Sequence, residues 1–177
     1  MDFTENTVKS ELIFDGKVAH LYKDEVSLPN GKTSFREYVK HNGAVCIVPI
    51  TENGEVILER QYRYAVRQEL VEIPAGKLDT PQEDPRLAAL RELKEETGAV
   101  PEELIYLGEY YGSPAIMGEK IYMYLAKGLK FGERHLDEDE FLDVFTMPLE
   151  EAVGQVLDGK ITDGKTQAGI LRAALMK

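Results

Sequence analysis

Glu92, Glu95 and Glu96 stand at i, i+3 and i+4 in a segment with helical patterning. Side chains at that spacing leave one side of a helix, which brings three carboxylates within reach of one or two hard cations. Their place in the last two helical turns is costly. The helix dipole disfavours negative charge there, and like charges at i,i+4 cost roughly 0.2–0.5 kcal/mol more. A sequence tuned for stability alone would carry lysine; here Arg91 and Lys94 offset only part of the charge. Oxygen donors without a His or Cys cluster favour Mg²⁺ or Mn²⁺ over zinc. Helical spacing by itself also fits a solvated acidic face, so the surrounding residues have to decide.

The chain has 177 residues, with 21 basic against 32 acidic and a net charge of -11. That balance opposes binding to nucleic acid or to an anionic membrane surface. A chain this acidic that handles a polyanion needs a cation between the two. Hydrophobic residues at 43% and charged residues at 30% suit a globular domain, or one domain plus an arm. The longest apolar runs, such as Gly43 to Ile50, are too short to cross a bilayer. The opening Met-Asp-Phe-Thr-Glu has neither the basic region nor the apolar core of a secretory signal. The single Cys46 allows no internal disulfide and no Cys-rich zinc site, so a reducing cytoplasm is expected.

The acidic helix has to be held by the elements around it. Residues 1–42 read as an antiparallel β arm, with Asp15-Gly16 and Asn30-Gly31 as hairpin signals of type I′. Residues 43–177 read as the main domain. Ala44 to Ile50, Glu55 to Arg63 and Glu69 to Ile73 are expected strands, the last stopping at Pro74-Ala75-Gly76. A helix is expected from Pro85 to Thr97, capped by Asp84 and closed by Gly98. On it Leu87, Leu90, Leu93 and Thr97 share a face expected to pack on the sheet. Glu92, Glu95 and Glu96 fall opposite, with Ala88. Strands are expected at Leu104 to Tyr111, Lys120 to Ala126 and Phe141 to Phe145, and helices at Leu149 to Leu157 and Thr166 to Met176. The fold class is α/β (α+β), with helices covering a mixed sheet.

From Gly76 the chain runs through six residues to Glu83, seven more to Arg91, and on through Glu92-Leu93-Lys94-Glu95-Glu96-Thr97-Gly98-Ala99. This resembles the Nudix box, G-x5-E-x7-R-E-U-x-E-E-x-G-U with U apolar, and matches every defined position from Glu83 onward. The first spacer is one residue longer, at Pro81-Gln82. The resemblance implies an α/β/α sandwich in which the box, residues 76–99, holds divalent metal over a diphosphate. It makes Glu92 and Glu96 the principal metal ligands, Glu95 a further ligand or support, and the Ala75 carbonyl another donor. Arg91 is expected to orient the glutamates by ion pairing.

Further stretches resemble ADP-ribose pyrophosphatases within that superfamily. They are Glu72-Ile73-Pro74-Ala75-Gly76, Gln61-Tyr62-Arg63, Ser113-Pro114 and the acidic loop Leu136-Asp137-Glu138-Asp139-Glu140-Phe141. The group commonly has Ser-Pro-Gly where this chain has Ser-Pro-Ala, with Ala115. Asp163-Gly164-Lys165-Thr166 resembles the group's D-[AG]-K-T and reads as structural. The likeness implies Mg²⁺-dependent hydrolysis of ADP-ribose to AMP and ribose 5-phosphate, with Glu138 as first and Glu140 as second choice for the base that takes the water's proton. It implies substrate contacts at Arg36, Arg63, Pro114 and Glu119. It also implies a homodimer with exchanged N-terminal arms, in which Arg36 comes from the partner. By residue type alone, Arg36 and Arg63 also fit surface ion pairs, Pro114 a loop proline, and the acidic loop a solvated one.

Three other readings stand beside this one. A Nudix hydrolase for a nucleotide sugar, a dinucleoside polyphosphate or FAD would share the box. A non-catalytic nucleotide sensor would not need the full set of glutamates. A calcium module would need the D-x-[DN]-x-[DN]-G loop, which the sequence lacks.

Overall fold

The computed structural model describes residues 2–136 and 140–176. The chain forms two compact units, Met1–Asn42 with Tyr111–Lys120, and Gly43–Tyr110 with Ile121–Lys177.

In the smaller unit β1 (Asn6–Asp15), β2 (His20–Ser27) and β3 (Thr33–Lys40) form an antiparallel sheet in that order. Tyr22 and Tyr38 are paired across β2 and β3 and their rings stack at 5.7 Å. The two hairpins form, but not through type I′ turns. Of Asn30-Gly31 only Gly31 is left-handed, at φ 79°, and the connection is longer, with the Leu28 N–H donating to the Lys32 carbonyl. The Asp15-Gly16 connection closes between Gly16 N–H and the Ala19 carbonyl at 2.9 Å. Residues 111–120 join this unit through backbone bonds to Val39: its N–H donates to Ile116 and its carbonyl accepts from Gly118. All ten residues of β1 are exposed.

The larger unit contains β4 (Ala44–Pro49), β5 (Glu55–Arg63), β6 (Gln68–Glu72), β7 (Ala75–Lys77), α1 (Pro85–Thr97), β8 (Ala99–Tyr110), β9 (Ile121–Phe131), β10 (Leu142–Pro148), α2 (Leu149–Leu157) and α3 (Gly164–Leu175). One sheet has the order β7-β4-β9-β8 and is mixed, because β4 and β9 run parallel while the other pairs are antiparallel. A second, β10-β5-β6, is antiparallel. Side-chain alternation along β4 divides the core in two. Val45 and Ile47 pack with Ala88, Ala89 and Leu93 of α1. Cys46 and Val48 pack with Ala152 and Val156 of α2 and with Ile170 and Ala173 of α3. A helix on one face and two on the other make the α/β/α sandwich.

Three strands are longer than alternation alone indicates. β8 begins at Ala99 and β9 continues to Phe131, because the two pair from Ala99↔Phe131 inward. Pro101, Glu102 and Glu103 hide that pairing in the sequence. β10 likewise continues past Phe145 to Pro148, paired with Glu55.

Helix α1 has the expected ends. Asp84 accepts from Arg86 N at 2.8 Å, and Gly98 closes the helix at φ 72°, where a side chain would collide with the Gly132 carbonyl. Its buried face is not the expected one. Leu87 is 61% exposed, while Ala88, Ala89, Leu93 and Glu96 are buried. At 100° per residue Glu92 and Glu96 lie between Ala88 and Leu93, so the core face is built on small alanines and contains the acids. Leucine is the stronger hydrophobic signal, and it pointed to the wrong side. Among the described residues no helix is long and apolar enough to cross a membrane.

Candidate active site

Strand β7 and the second half of α1 face each other in the larger unit, and Gly76 is where they touch. A Cβ on Gly76 would fall 1.9 Å from Glu92 Cδ and within 2.3 Å of both carboxylate oxygens. Only glycine leaves the Glu92 carboxyl room at that turn. One residue earlier, Ala75 N–H donates to Glu96 Oε2 at 3.1 Å. The contact the structure gives Ala75 is therefore through its N–H. The extra residue before Glu83 is taken up by a turn in which Glu83 N–H donates to Thr80 and Asp79 N–H donates to Glu83 Oε2. Gly76 keeps its seat against Glu92.

Arg91 gathers the acids of the box. Its Nη1 lies 2.8 Å from Glu92 Oε1 and 3.3 Å from Glu95 Oε2, and its Nη2 lies 3.3 Å from Glu83 Oε1 and from the Lys77 carbonyl. Glu83 and Arg91 are poor neighbours by helical spacing, yet they meet because Glu83 sits on the loop before the helix. Glu95 is the most open of the three glutamates, and Glu96 is only 5% exposed.

A second charged group lies on β5 and β6, and sequence reasoning missed most of it. Glu59 and Glu72 are directly paired across the two strands, and both are buried. Arg63 grips Glu72 with both ends of its guanidinium, Nε to Oε1 at 2.6 Å and Nη2 to Oε2 at 2.7 Å. Lys165 pairs with Glu72 Oε2 and with Asp163 Oδ2. Asp163 also caps α3, accepting from Thr166 N–H and its hydroxyl, and Thr166 Oγ1 accepts from Ile73 N–H. The Asp163-Gly164-Lys165-Thr166 stretch thus ties α3 to β6 and brings a cation to Glu72. Glu59 has no such partner. Its Oε1 is buried without a hydrogen bond among the described residues. The one sequence signal for it was an acid at a strand position whose neighbours, Val56 to Leu58, are all core.

The electrostatics separate the two carboxylate sets. Burial pushes Glu96 well above the usual carboxylate range, and the charges of Glu59, Glu92 and Glu140 push it further. Glu59 rises for the same reason, with Glu72 the strongest repelling neighbour. Burial also raises Glu92, against the pull of Arg91. Glu72 is the opposite case: burial works to raise it, but Arg63 and Lys165 outweigh burial and hold it low. Of the buried acids here, Glu72 has its cations, whereas Glu59 and Glu96 have no ion-pair partner among the described residues.

That deficit matches a divalent metal. The donors are hard carboxylate oxygens, the ligands Mg²⁺ and Mn²⁺ prefer. Buried carboxylates persist when they are paired or coordinate a metal. Among the described residues no three carboxylate, imidazole or thiol groups stand at ligand spacing around one point. Glu92 is turned to Arg91 and Glu96 to the Ala75 N–H.

Other expected residues are placed as follows. Glu140 belongs to the larger unit, and its charge is felt at Glu59, Glu92 and Glu96. Glu138 lies outside the described residues. Arg36, Glu119 and Pro114 belong to the smaller unit. There Arg36 is bonded to Glu5 and to the Phe35 carbonyl, and Glu119 lies 3.5 Å from His41. Pro114 and Ala115 are exposed, and Ala115 does not take a left-handed conformation, so that turn has no need of glycine.

The NUDIX domain family matches residues 40–168. A methanol dehydrogenase activator of Bacillus methanolicus is 46% identical over 93% of this chain and 89% of its own. An ADP-ribose pyrophosphatase of Bacillus subtilis is 44% identical over 94% and 90%. A solved structure described as an ADP compounds hydrolase shares the fold, with a TM-score of 0.84 over 98% of this chain and 95% of that one at 22% identity. A family match spanning most of the chain, with relatives this similar along nearly its whole length, means that the protein belongs to the Nudix family.

Proposed function

We propose that the chain hydrolyses ADP-ribose at its diphosphate linkage, releasing AMP and ribose 5-phosphate, with Mg²⁺ as the natural metal and Mn²⁺ a substitute. The observation that carries the hydrolytic reading is the group of carboxylates beside β7, with Glu92 against Gly76 and with Glu59 and Glu96 buried without an ion-pair partner among the described residues. The choice of ADP-ribose rests on the Bacillus subtilis relative of that name.

In this reading Glu92 and Glu96 hold the metal, with Glu95 and the Ala75 carbonyl beside them. Bound there, the cations supply the positive charge that offsets the diphosphate oxygens and make water a nucleophile at neutral pH. Arg91 fixes the plane of the Glu92 carboxyl and supports Glu95. Glu138 or Glu140 takes the proton from the attacking water; the influence of Glu140 on Glu59, Glu92 and Glu96 favours its nearness to them. Arg63 is held in one orientation by Glu72 and presents a fixed guanidinium to a phosphate or ribose oxygen.

The bare β1 strand supports a homodimer. Val8, Leu12, Ile13 and Phe14 are exposed on it, as is Phe35 on β3. An apolar patch on an edge sheet is unusual for a monomer, and a second copy would cover it. Arg36 would then reach the adenine of the partner's substrate. The cytoplasm suits a chain whose single cysteine, Cys46, forms no internal disulfide.

A panel of ADP-ribose, GDP-mannose, a dinucleoside polyphosphate and FAD with Mg²⁺, read by phosphatase-coupled phosphate release, tests the proposal. ADP-ribose should be the best substrate. No turnover of it while another compound is consumed would overturn the choice. The Bacillus methanolicus relative carries a second reading, in which the chain raises the turnover of a dehydrogenase. Acceleration of methanol dehydrogenase by this chain with Mg²⁺, absent in EDTA, would favour it.

A further inference from the structure

We propose that Glu59 is an additional metal ligand, a donor from strand β5 that joins Glu96 on the cation. The inference rests on the reading of Glu92 and Glu96 as metal ligands.

Three observations carry it. Glu59 is 4% exposed, and its Oε1 is buried with no hydrogen-bond partner among the described residues. Glu96, itself buried, acts directly on the Glu59 carboxyl, so the two acids are neighbours. Its register neighbours offer no positive charge: Glu72 stands across on β6 and Val144 across on β10.

A structural role does not account for this arrangement. Glu72 has the same burial, and it is matched by Arg63 and Lys165. Those two cations pair with Glu72, and Lys165 also with Asp163, so the charge of Lys165 offsets only part of the repulsion at Glu59. A carboxylate directly across a sheet from another carboxylate is unfavourable. At this point of β5, which follows Val56, Ile57 and Leu58, an apolar residue would pack at no such cost. Glu96 beside it is a second acid, and Oε1 is left bare among the described residues. A divalent cation between Glu59 and Glu96 satisfies it, and carboxylate oxygen is the donor such a cation takes.

Mn²⁺ binding to the purified, EDTA-stripped protein tests this without reference to turnover. Free Mn²⁺ is followed by its electron paramagnetic resonance signal in wild type, Glu59→Gln and Glu59→Leu, with melting temperatures in EDTA alongside. The expected result is the loss of one bound Mn²⁺, or an affinity weakened by about 10- to 100-fold, in both variants. Their melting temperatures in EDTA should match or exceed wild type, because a repelling buried charge is gone. Wild-type Mn²⁺ binding retained in both folded variants overturns the proposal while leaving the box reading intact. Absence of Mn²⁺ binding in wild type overturns both.

Discussion

Alanine at Gly76 would place a methyl carbon 1.9 Å from Glu92 Cδ, where ordinary contact starts at about 3.4 Å. The Glu92 carboxyl must therefore retreat by about 1.5 Å. The backbone does not resist the change, since Gly76 is not among the left-handed glycines. The atoms displaced belong to the far end of a flexible side chain, so the stability cost is small. Losing the 2.8 Å contact between Glu92 and Arg91, at a partly exposed position, costs about 1 kcal/mol or less. For a chain of this size that lowers the melting temperature by about 2–4 °C. The catalytic cost is much larger, because a displacement of about 1 Å in a positioned group lowers rate by about 100-fold. Steady-state hydrolysis of ADP-ribose in saturating Mg²⁺, with melting scans on the same samples, measures both. A folded Gly76→Ala protein with wild-type kcat would refute the argument that this glycine exists to seat Glu92.

Glu96→Gln should abolish most Mg²⁺-dependent turnover and leave the metal-free protein at least as stable as wild type, since it removes a buried charge surrounded by Glu59 and Glu92; retained kcat would exclude Glu96 as a ligand. Glu138→Gln should lower kcat by about 100-fold or more with little change in KM, and if Glu140→Gln alone does this, the base is Glu140. In EDTA the melting temperature should fall as pH rises from about 5 to 9. The sign follows from the direction of the shifts: Glu59 and Glu96 are raised on folding, so their contribution is full below the unfolded range and is lost as pH climbs through the folded values. Added Mg²⁺ should flatten that decline, and a rise in EDTA over the same range would contradict the assignment.

The elements that stand out by local pattern were legible. Asp84, Pro85 and Gly98 marked both ends of α1, and the run of Gly, Glu, Arg and Glu residues marked the acidic site. What could not be seen depends on contacts distant in sequence. The buried face of α1 rests on Ala88 and Ala89, which carry little hydrophobic weight, and that misplaced Glu96 on an open surface. Glu59 gives one faint local sign, an acid following the core residues Val56 to Leu58, because its significance lies in what is missing around it. Lys165 comes to Glu72 from 93 positions away. Tyr111–Lys120 joins the N-terminal strands through bonds to Val39, a pairing no periodicity announces.

Crystals grown with Mn²⁺ and a non-hydrolysable ADP-ribose analogue, examined by anomalous scattering, test the acidic helix directly. The account predicts manganese peaks at Glu92 and Glu96 beside the Gly76 turn, with the diphosphate against them. A bound nucleotide with no manganese at that turn would contradict it.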